Sequence, residues 1–491
     1  MSILTPDWVK HAVFYQIYPD SFARTVPSHQ QWLLDVSLEP WQALPTFQGY
    51  KGGNLWGVID KLDYLKDLGI TALYFTPIFQ SACNHRYHTH NYYQIDPLLG
   101  GNEAFENLLK EAHKRDFKVV LDGVFNHASR GFFFFNDILE NGPNSPWLDW
   151  FKITGWPLSA YDGNLPANYV SWVNYRALPE FNHDHPGVRE YIMQVGEYWL
   201  NQGIDGWRLD VAYCIKAEGF WQEFRQRVKA INSEAYIVGE IVDDATQWLD
   251  GNQFDGVMNY PFGRATIAFT AGDRVLTETV PSFYQPYPPL DATQYAAEIN
   301  NLLQRHPWEI ELTQLNLLDS HDTARLITIA NGDRPTVELA TLLLFTFPGA
   351  PNIFYGDEIG LPGGHEPDCR RGFPAENQWD QEVLNYHRQL IRLRHHYQAL
   401  RIGEYHTIYA QGKVYIFARI LEQEVLIIAV NADTNYQEVN LDSIDQAKSV
   451  FQIKPNHLVY GKGEINWQQS TLTLNLPPRH GLIVASKPFI S

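Results

Sequence analysis

Eight short apolar, β-rich runs alternate with longer helical patterns along most of this chain. The runs are residues 12–18, 71–76, 118–123, 206–210, 236–240, 256–259, 315–318 and 352–355. Helical stretches between them include 55–68, 104–115, 188–202, 220–231 and 336–345. Eight strands separated by helices predict an α/β fold of the closed parallel (β/α)8 TIM-barrel kind. An open doubly wound sheet would want a Gly-rich phosphate turn after its first strand, and the residues after Tyr18 offer none.

The alternation is interrupted once. Some sixty residues rich in Trp, Pro, Asn and Gly follow the third strand. That is too long for a plain connection and predicts a small inserted subdomain. Beyond about residue 402 the pattern becomes all-β, with runs at 414–418, 425–430 and 472–476. The expected division is barrel at 1–126, insertion at 127–187, barrel again at 188–402, and a C-terminal β-sandwich at 403–491. The Pro-rich stretch 281–289 is expected to be a loop or lid on the barrel.

Four strand candidates end on polar groups able to do chemistry. They are Leu121-Asp122-Gly123-Val124-Phe125-Asn126-His127, Gly206-Trp207-Arg208-Leu209-Asp210, Val238-Gly239-Glu240 and Leu317-Leu318-Asp319-Ser320-His321-Asp322. A barrel gathers groups from different strand ends into one pocket. A retaining glycosidase needs one carboxylate to attack the anomeric carbon and a second to protonate the leaving oxygen, roughly 5–5.5 Å apart. Asp210 and Glu240, on successive strands, are a plausible pair. Arg208 lies two residues before Asp210 and so points to the same side of the strand. Its charge would hold Asp210 ionised. Burial or a negative neighbour such as Asp322 would keep Glu240 protonated. The 15 Trp, 27 Tyr and 27 Phe suit both large cores and the stacking of sugar rings.

The formal net charge of −19 argues against nucleic acid or an anionic membrane as a partner and is compatible with a neutral substrate. Cys83, Cys214 and Cys369 are odd in number and widely spaced, which predicts neither a disulfide framework nor a zinc spacing. With no apolar leader after Met1 and no bilayer-length apolar run, the expectation is a cytoplasmic protein without a membrane span.

From Phe14-Tyr15-Gln16-Ile17-Tyr18-Pro19 to the β-rich tail, these segments resemble the α-amylase family of glycoside hydrolases. The resemblance implies Asp210 as nucleophile, Glu240 as general acid/base and Asp322 as transition-state stabiliser. It implies Arg208 as the arginine beside the nucleophile, His127 and His321 as sugar-binding histidines, and Asp122 as a structural aspartate. His85 and Tyr87 match the histidine and stacking tyrosine of the cleavage subsite. Glu366 and Arg370 match a pair that binds the next sugar, with Glu366 standing where Asp is usual. Within the family the chain is most similar to the neopullulanase, cyclomaltodextrinase and maltogenic amylase group. Leu178-Pro179-Glu180-Phe181-Asn182 resembles that group's Met-Pro-x-Leu-Asn segment.

There are departures. The group's extra N-terminal β domain is not expected, because the first strand begins within twenty residues of Met1, and its dimer mode is therefore not assumed; monomer and homodimer both stay open. Tyr213-Cys214 replaces Asn-Glu, Val242 replaces Trp and His88 replaces Asp. The first two changes fall on the acceptor side, so the expected activity is hydrolysis of α-1,6 and α-1,4 bonds in branched maltooligosaccharides, pullulan or cyclodextrins, in the manner of a short debranching enzyme. The alternatives are a transglycosylase on the same substrates or a non-catalytic, amylase-like binding protein. No cofactor is required by this chemistry. A structural calcium ion stays open through Asn126, which matches an asparagine that binds calcium in many α-amylases.

Overall fold

The computed structural model describes residues 3–286, 288–441 and 453–489. Eight parallel strands close into a barrel: β1 (Phe14–Ile17), β2 (Ala72–Phe75), β5 (Lys118–Gly123), β6 (Gly206–Leu209), β7 (Tyr236–Gly239), β8 (Gly256–Asn259), β9 (Leu315–Asn316) and β10 (Ala350–Phe354). An antiparallel hairpin, β3 (Phe79–Ser81) and β4 (Thr89–Ile95), leaves the barrel after β2. The expected barrel order is therefore observed, with strand ends trimmed. The strand β9 is only two residues long.

Burial explains why the strands read as unbroken apolar runs. β1, β2, β6, β7, β8 and β10 are buried at every position, as strands wrapped by helices on the outside and packed side chains within must be. Register then sets what meets inside. Asp122 on β5 pairs with Arg208 on β6, and Leu209 pairs with Gly239 on β7. The ladder continues past the strand ends, with Asp210 N–H donating to Gly123 O at 3.1 Å and Glu240 N–H to Leu209 O at 3.0 Å. Asp210 and Glu240 thus leave neighbouring strands at the same height.

The helix Leu55–Leu68 lies where its sequence pattern placed it. Asn54 caps its start by accepting from Gly57 N–H, and Gly69, at φ 96°, ends it. The helix Tyr260–Ala271 has no counterpart among the sequence expectations. It is buried at every residue but Arg264, so it carries no polar stripe to betray a helical period.

Residues 127–185 between β5 and the next long helix hold one short helix, Phe133–Asn141, and isolated β-bridges including His127 with Glu180 and Phe151 with Phe181. Aromatic packing does much of the work there. Phe134 stacks on Trp147 at 3.9 Å and meets Trp150 edge-on at 4.6 Å. The segment after Pro281 turns through a short 3-10 helix, Ser282–Tyr284, and the Tyr284 hydroxyl donates to Leu318 O beside the cleft.

At the C-terminal end, β11 (Glu404–Gln411), β12 (Val414–Leu421), β13 (Glu424–Asn431), β18 (His480–Ala485) and β15 (His457–Gly461) form one sheet. A second is formed by β14 (Gln437–Leu441), β17 (Thr471–Leu476) and β16 (Glu464–Gln468). Of two buried arginines here, Arg419 on β12 ties the first sheet to the barrel, while Arg394, on the helix Gln381–His396, bonds within the barrel. Arg394 donates to the carbonyls of Phe345 and Gly349, and Arg419 to those of Thr346, Leu400 and Gly403. Among the described residues no helix is long and apolar enough to cross a membrane.

Candidate active site

The carboxyl ends of the barrel strands open into a cleft of about 840 Å³, within the range of small-ligand sites. Its floor is organised by Arg208, which is fully buried. Nη1 donates to Asp122 Oδ1 at 2.9 Å, Asp122 Oδ2 at 3.0 Å and Asp210 Oδ1 at 2.9 Å. Nη2 lies 2.9 Å from Glu240 Oε1 but is not aligned as a hydrogen bond. Glu240 Oε2 instead accepts from Val211 N–H at 2.8 Å. Gly239 is required just before Glu240, because a Cβ there would stand 2.6 Å from the Phe254 ring.

One cation thus serves three buried carboxylates, and this changes the expected electrostatics. Arg208 does pull Asp210 toward its ionised form. Burial outweighs that pull, and the neighbouring Glu240 and Asp122 add to the rise, so the Asp210 carboxyl is held above the usual carboxylate range. The expected pull of Arg208 toward an ionised Asp210 is present but is divided among three carboxylates and outweighed by burial. Burial raises Glu240 as well, with Arg208 opposing and Asp322 assisting. Asp122 is raised by burial too, although it also accepts from the hydroxyls of Tyr87 at 3.0 Å and Tyr74 at 3.3 Å.

The remaining predicted residues converge on the same cleft. His321 is buried and accepts from Gln16 Nε2 at 2.8 Å through Nδ1. That leaves the proton on Nε2, which faces the Tyr87 hydroxyl at 2.5 Å and Asp322 Oδ2 at 3.2 Å. The Tyr87 and His321 rings are parallel, 5.6 Å apart. Arg370 Nη2 reaches Asp322 Oδ1 at 3.3 Å and pairs with Glu366. Its Nε donates to His321 O at 2.9 Å. His127 is buried with no partner for Nε2, a polar atom left at the cleft wall. Burial lowers its pKa to about 3, so it meets a ligand as neutral imidazole. His85 is likewise neutral, pushed well down by burial and by Arg370.

The loop carrying His85 and Tyr87 is fixed from below. Arg86, between them, adopts φ 61° and is buried, with Nε 3.0 Å from Asp96 and Nη1 3.8 Å from Asp20. This left-handed turn is uncommon for a side chain of that size. It lets both neighbours face the cleft.

Tyr213 and Val242, singled out in the sequence, do line the cleft, and sequence reasoning missed the other wall residues. Trp172, Tyr175, Tyr213, Val242 and Phe283 line the walls, with Phe47 at the rim. Tyr175, Tyr213 and Phe283 are exposed. Trp172 packs on the His127 ring at 5.5 Å. The available signal was the aromatic excess in the insertion, which did not distinguish wall from core.

Asn126 does not fit a calcium shell. Its amide nitrogen lies 3.4 Å from His127 Nδ1, and its side chain hydrogen-bonds Glu180. Calcium takes six to eight oxygens, and among the described residues no trio of acidic ligand atoms gathers there.

The α-amylase catalytic-domain family matches residues 16–380, and the α-amylase C-terminal domain family matches residues 403–484. The chain belongs to the α-amylase family. Neopullulanase 2 of Thermoactinomyces vulgaris is 39% identical over 490 residues, covering 98% of this chain and 78% of that one. The crystal structure of a debranching enzyme from Nostoc punctiforme is 63% identical, with a TM-score of 0.92, covering 99% of this chain and 100% of that one. The cyclic α-maltosyl-(1→6)-maltose hydrolase of Arthrobacter globiformis is 34% identical, with a TM-score of 0.85, covering 98% of this chain and 99% of that one. The chain is a glycosidase of this family, and the binding-protein alternative is not favoured.

Proposed function

We propose that this α-amylase family enzyme hydrolyses α-1,6 and α-1,4 glucosidic bonds of branched maltooligosaccharides, pullulan and cyclodextrins with retention, and that it favours the α-1,6 bond. The observation that carries the reading is the pairing of Asp210 and Glu240 on the two Nη atoms of Arg208 at the cleft floor, with Asp322 held opposite by Arg370.

The proton inventory fits double displacement. Three carboxylates around one guanidinium cannot all be ionised in a buried site. The aligned bond from Arg208 Nη1 favours the anion on Asp210, whereas the unaligned Nη2 contact leaves Glu240 as the group that keeps the proton. Asp210 then attacks the anomeric carbon while Glu240 protonates the departing oxygen. The same Glu240 carboxylate takes a proton from water in the second step. Asp322 accepts sugar hydroxyls most strongly as positive charge develops. The orphan Nε2 of His127, with His321 and His85, meets hydroxyls of the same sugar. Tyr87 stacks on it, and Arg370 with Glu366 holds the next one.

Linkage preference is read from the acceptor side. Val242 leaves room that a Trp would fill, and Tyr213 and Phe283 offer exposed ring faces in the same cleft. A 6-linked branch, with its extra rotatable bond, needs such width. The named activities of the Nostoc and Arthrobacter proteins, debranching and hydrolysis of a 1→6-linked maltose, support the same preference. We also assign barrel, insertion, barrel and β-sandwich to 1–126, 127–187, 188–402 and 403–491. We place the enzyme in the cytoplasm, acting on neutral glucans and not on nucleic acid; its three free cysteines and its net charge of −19 support this.

Incubation with pullulan, cyclodextrin and 6-O-maltosyl-cyclodextrin, followed by product identification, tests the reading. Release of maltose and intact cyclodextrin from the branched substrate is the expected result. Cleavage confined to α-1,4 bonds removes the debranching assignment.

A further inference from the structure

Beside the carboxylates, the cleft wall carries a second cluster of ligand atoms. Cys83, His85 and His88 all come from the loop joining β3 to β4, and one ligand atom from each lies within 4.8 Å of the others. It is the only such trio of His, Cys, Asp or Glu atoms among the described residues. Cys83 Sγ is 3.5 Å from His85 Nδ1, and the His85 and His88 rings meet edge to face at 5.0 Å. All three residues line the cleft.

The loop is held in this shape without a metal. The buried Arg86 ion pairs anchor its middle. Ser81 Oγ contacts Cys83 Sγ at 3.3 Å and donates to His88 O at 2.8 Å, tying the loop's two sides together. A ligand set already ordered loses little conformational freedom on binding.

We propose that Cys83, His85 and His88 form a binding site for a thiophilic divalent cation of the Zn²⁺ class, and that occupation of this site shuts glucan out of the cleft. One sulfur and two imidazole nitrogens, with water as fourth ligand, make a tetrahedral site of the open type. Thiolate and imidazole select zinc-like ions over calcium or magnesium. Ligand bonds of about 2.0–2.3 Å require the trio to draw together slightly, which rotation of the partly exposed His88 ring supplies. On binding, the Cys83 S–H bond breaks, its proton leaves to solvent, and the sulfur pair forms the bond to the metal. No oxidant or reductant is involved. The blocking effect rests on the cleft reading above: all three ligands line the cleft, so the ion and its bound water would stand in the space read as the sugar's beside His85.

The probe is Co²⁺, whose thiolate complexes give a near-ultraviolet charge-transfer band, followed by displacement with Zn²⁺. The wild-type protein is expected to show the band, and Cys214→Ser to keep it. Cys83→Ser is expected to lose it, and His88→Phe to weaken Co²⁺ binding at least about tenfold. In hydrolysis assays, each variant compared with its own uninhibited rate, Zn²⁺ should inhibit the wild type competitively with glucan and inhibit Cys83→Ser at least about tenfold less well. Absence of the band, or a band that survives Cys83→Ser, overturns the site. Zinc inhibition that Cys83→Ser leaves unchanged overturns the blocking claim, because the ion then acts at the carboxylates. A wild-type protein inactive on every glucan would overturn the functional reading, while the cobalt band would still decide the site.

Discussion

Replacing Arg208 with methionine removes the one guanidinium that Asp122, Asp210 and Glu240 share, while keeping much of the side-chain volume. Breaking a buried ion pair on one side costs about 3–5 kcal/mol, because it strands the partner charge. Without that cation the carboxyls move further upward, because the charge that opposes their burial is gone. Asp210 would then hold its proton to higher pH, and its attacking anion would be scarcer at pH 7. The sign follows from the chemistry: a protonated nucleophile is inactive, so the acid limb of the kcat/KM profile moves to higher pH and activity partly returns as pH rises. Unfolding in urea should show the stability loss at pH 7. The double variant Arg208→Met/Asp122→Asn should regain part of it by removing one stranded charge. The assay is a pH–rate profile on maltosyl-cyclodextrin beside urea melts of the same proteins. A loss of rate that is equal at all pH values would refute the charge-sharing argument and leave Arg208 a purely geometric part. A stability loss below about 1 kcal/mol would refute it equally, since no buried charge would then have been stranded.

Asp210→Asn and Glu240→Gln should each abolish turnover while circular dichroism and melting stay near wild type; retained activity in either overturns its role. Trp172→Ala should raise KM about tenfold with a smaller effect on kcat, because it removes the ring against which His127 packs and a cleft wall, both measured on oligosaccharides of fixed length. Glu311 is buried away from the cleft, with burial raising its carboxyl to about 8 and Oε1 unpaired. Its folded pKa exceeds the unfolded value, so the protein should lose stability as pH rises from about 4.5 to 8, as the unfolded state gives up its proton first. Glu311→Gln should flatten that decline in melts taken across the window, and an unchanged slope would show that the carboxyl is not the cause.

Legibility in the sequence followed the physics of each element. The barrel could be read because strands buried on both sides must be apolar along their length, and the helix Leu55–Leu68 because its cap and its terminal glycine are local. The helix Tyr260–Ala271 could not, because a helix buried all round shows no period. At the site, Asp122, Arg208, Asp210, Glu240, His321 and Asp322 stood out as polar groups ending apolar runs. Their convergence depends on register, which pairs Asp122 with Arg208 across strands 86 residues apart in sequence. What the segments did not carry was number. Arg208 beside Asp210 reads as one cation for one anion, and only the closed barrel reveals that three carboxylates divide it.

That division bears on how one floor can serve both chemical steps. A nucleophile pinned by a private cation would be a weak base held too low to attack well. An acid with no cation nearby would hold its proton too firmly to give it up. Sharing Arg208 places the two carboxyls in one coupled equilibrium, so in the proposed double displacement the proton that leaves Glu240 for the departing oxygen is matched by charge vanishing from Asp210 as its bond to the sugar forms. The net charge around the guanidinium is then the same before and after the step. The surrounding hydrogen bonds, from Val211 N–H and the Tyr87 and Tyr74 hydroxyls, need not rearrange. Tyr213, Val242 and Phe283, proposed to face the acceptor, line the cleft outside this circuit. That wall is therefore free to vary in width, and so in linkage choice, without disturbing the proton balance beneath it.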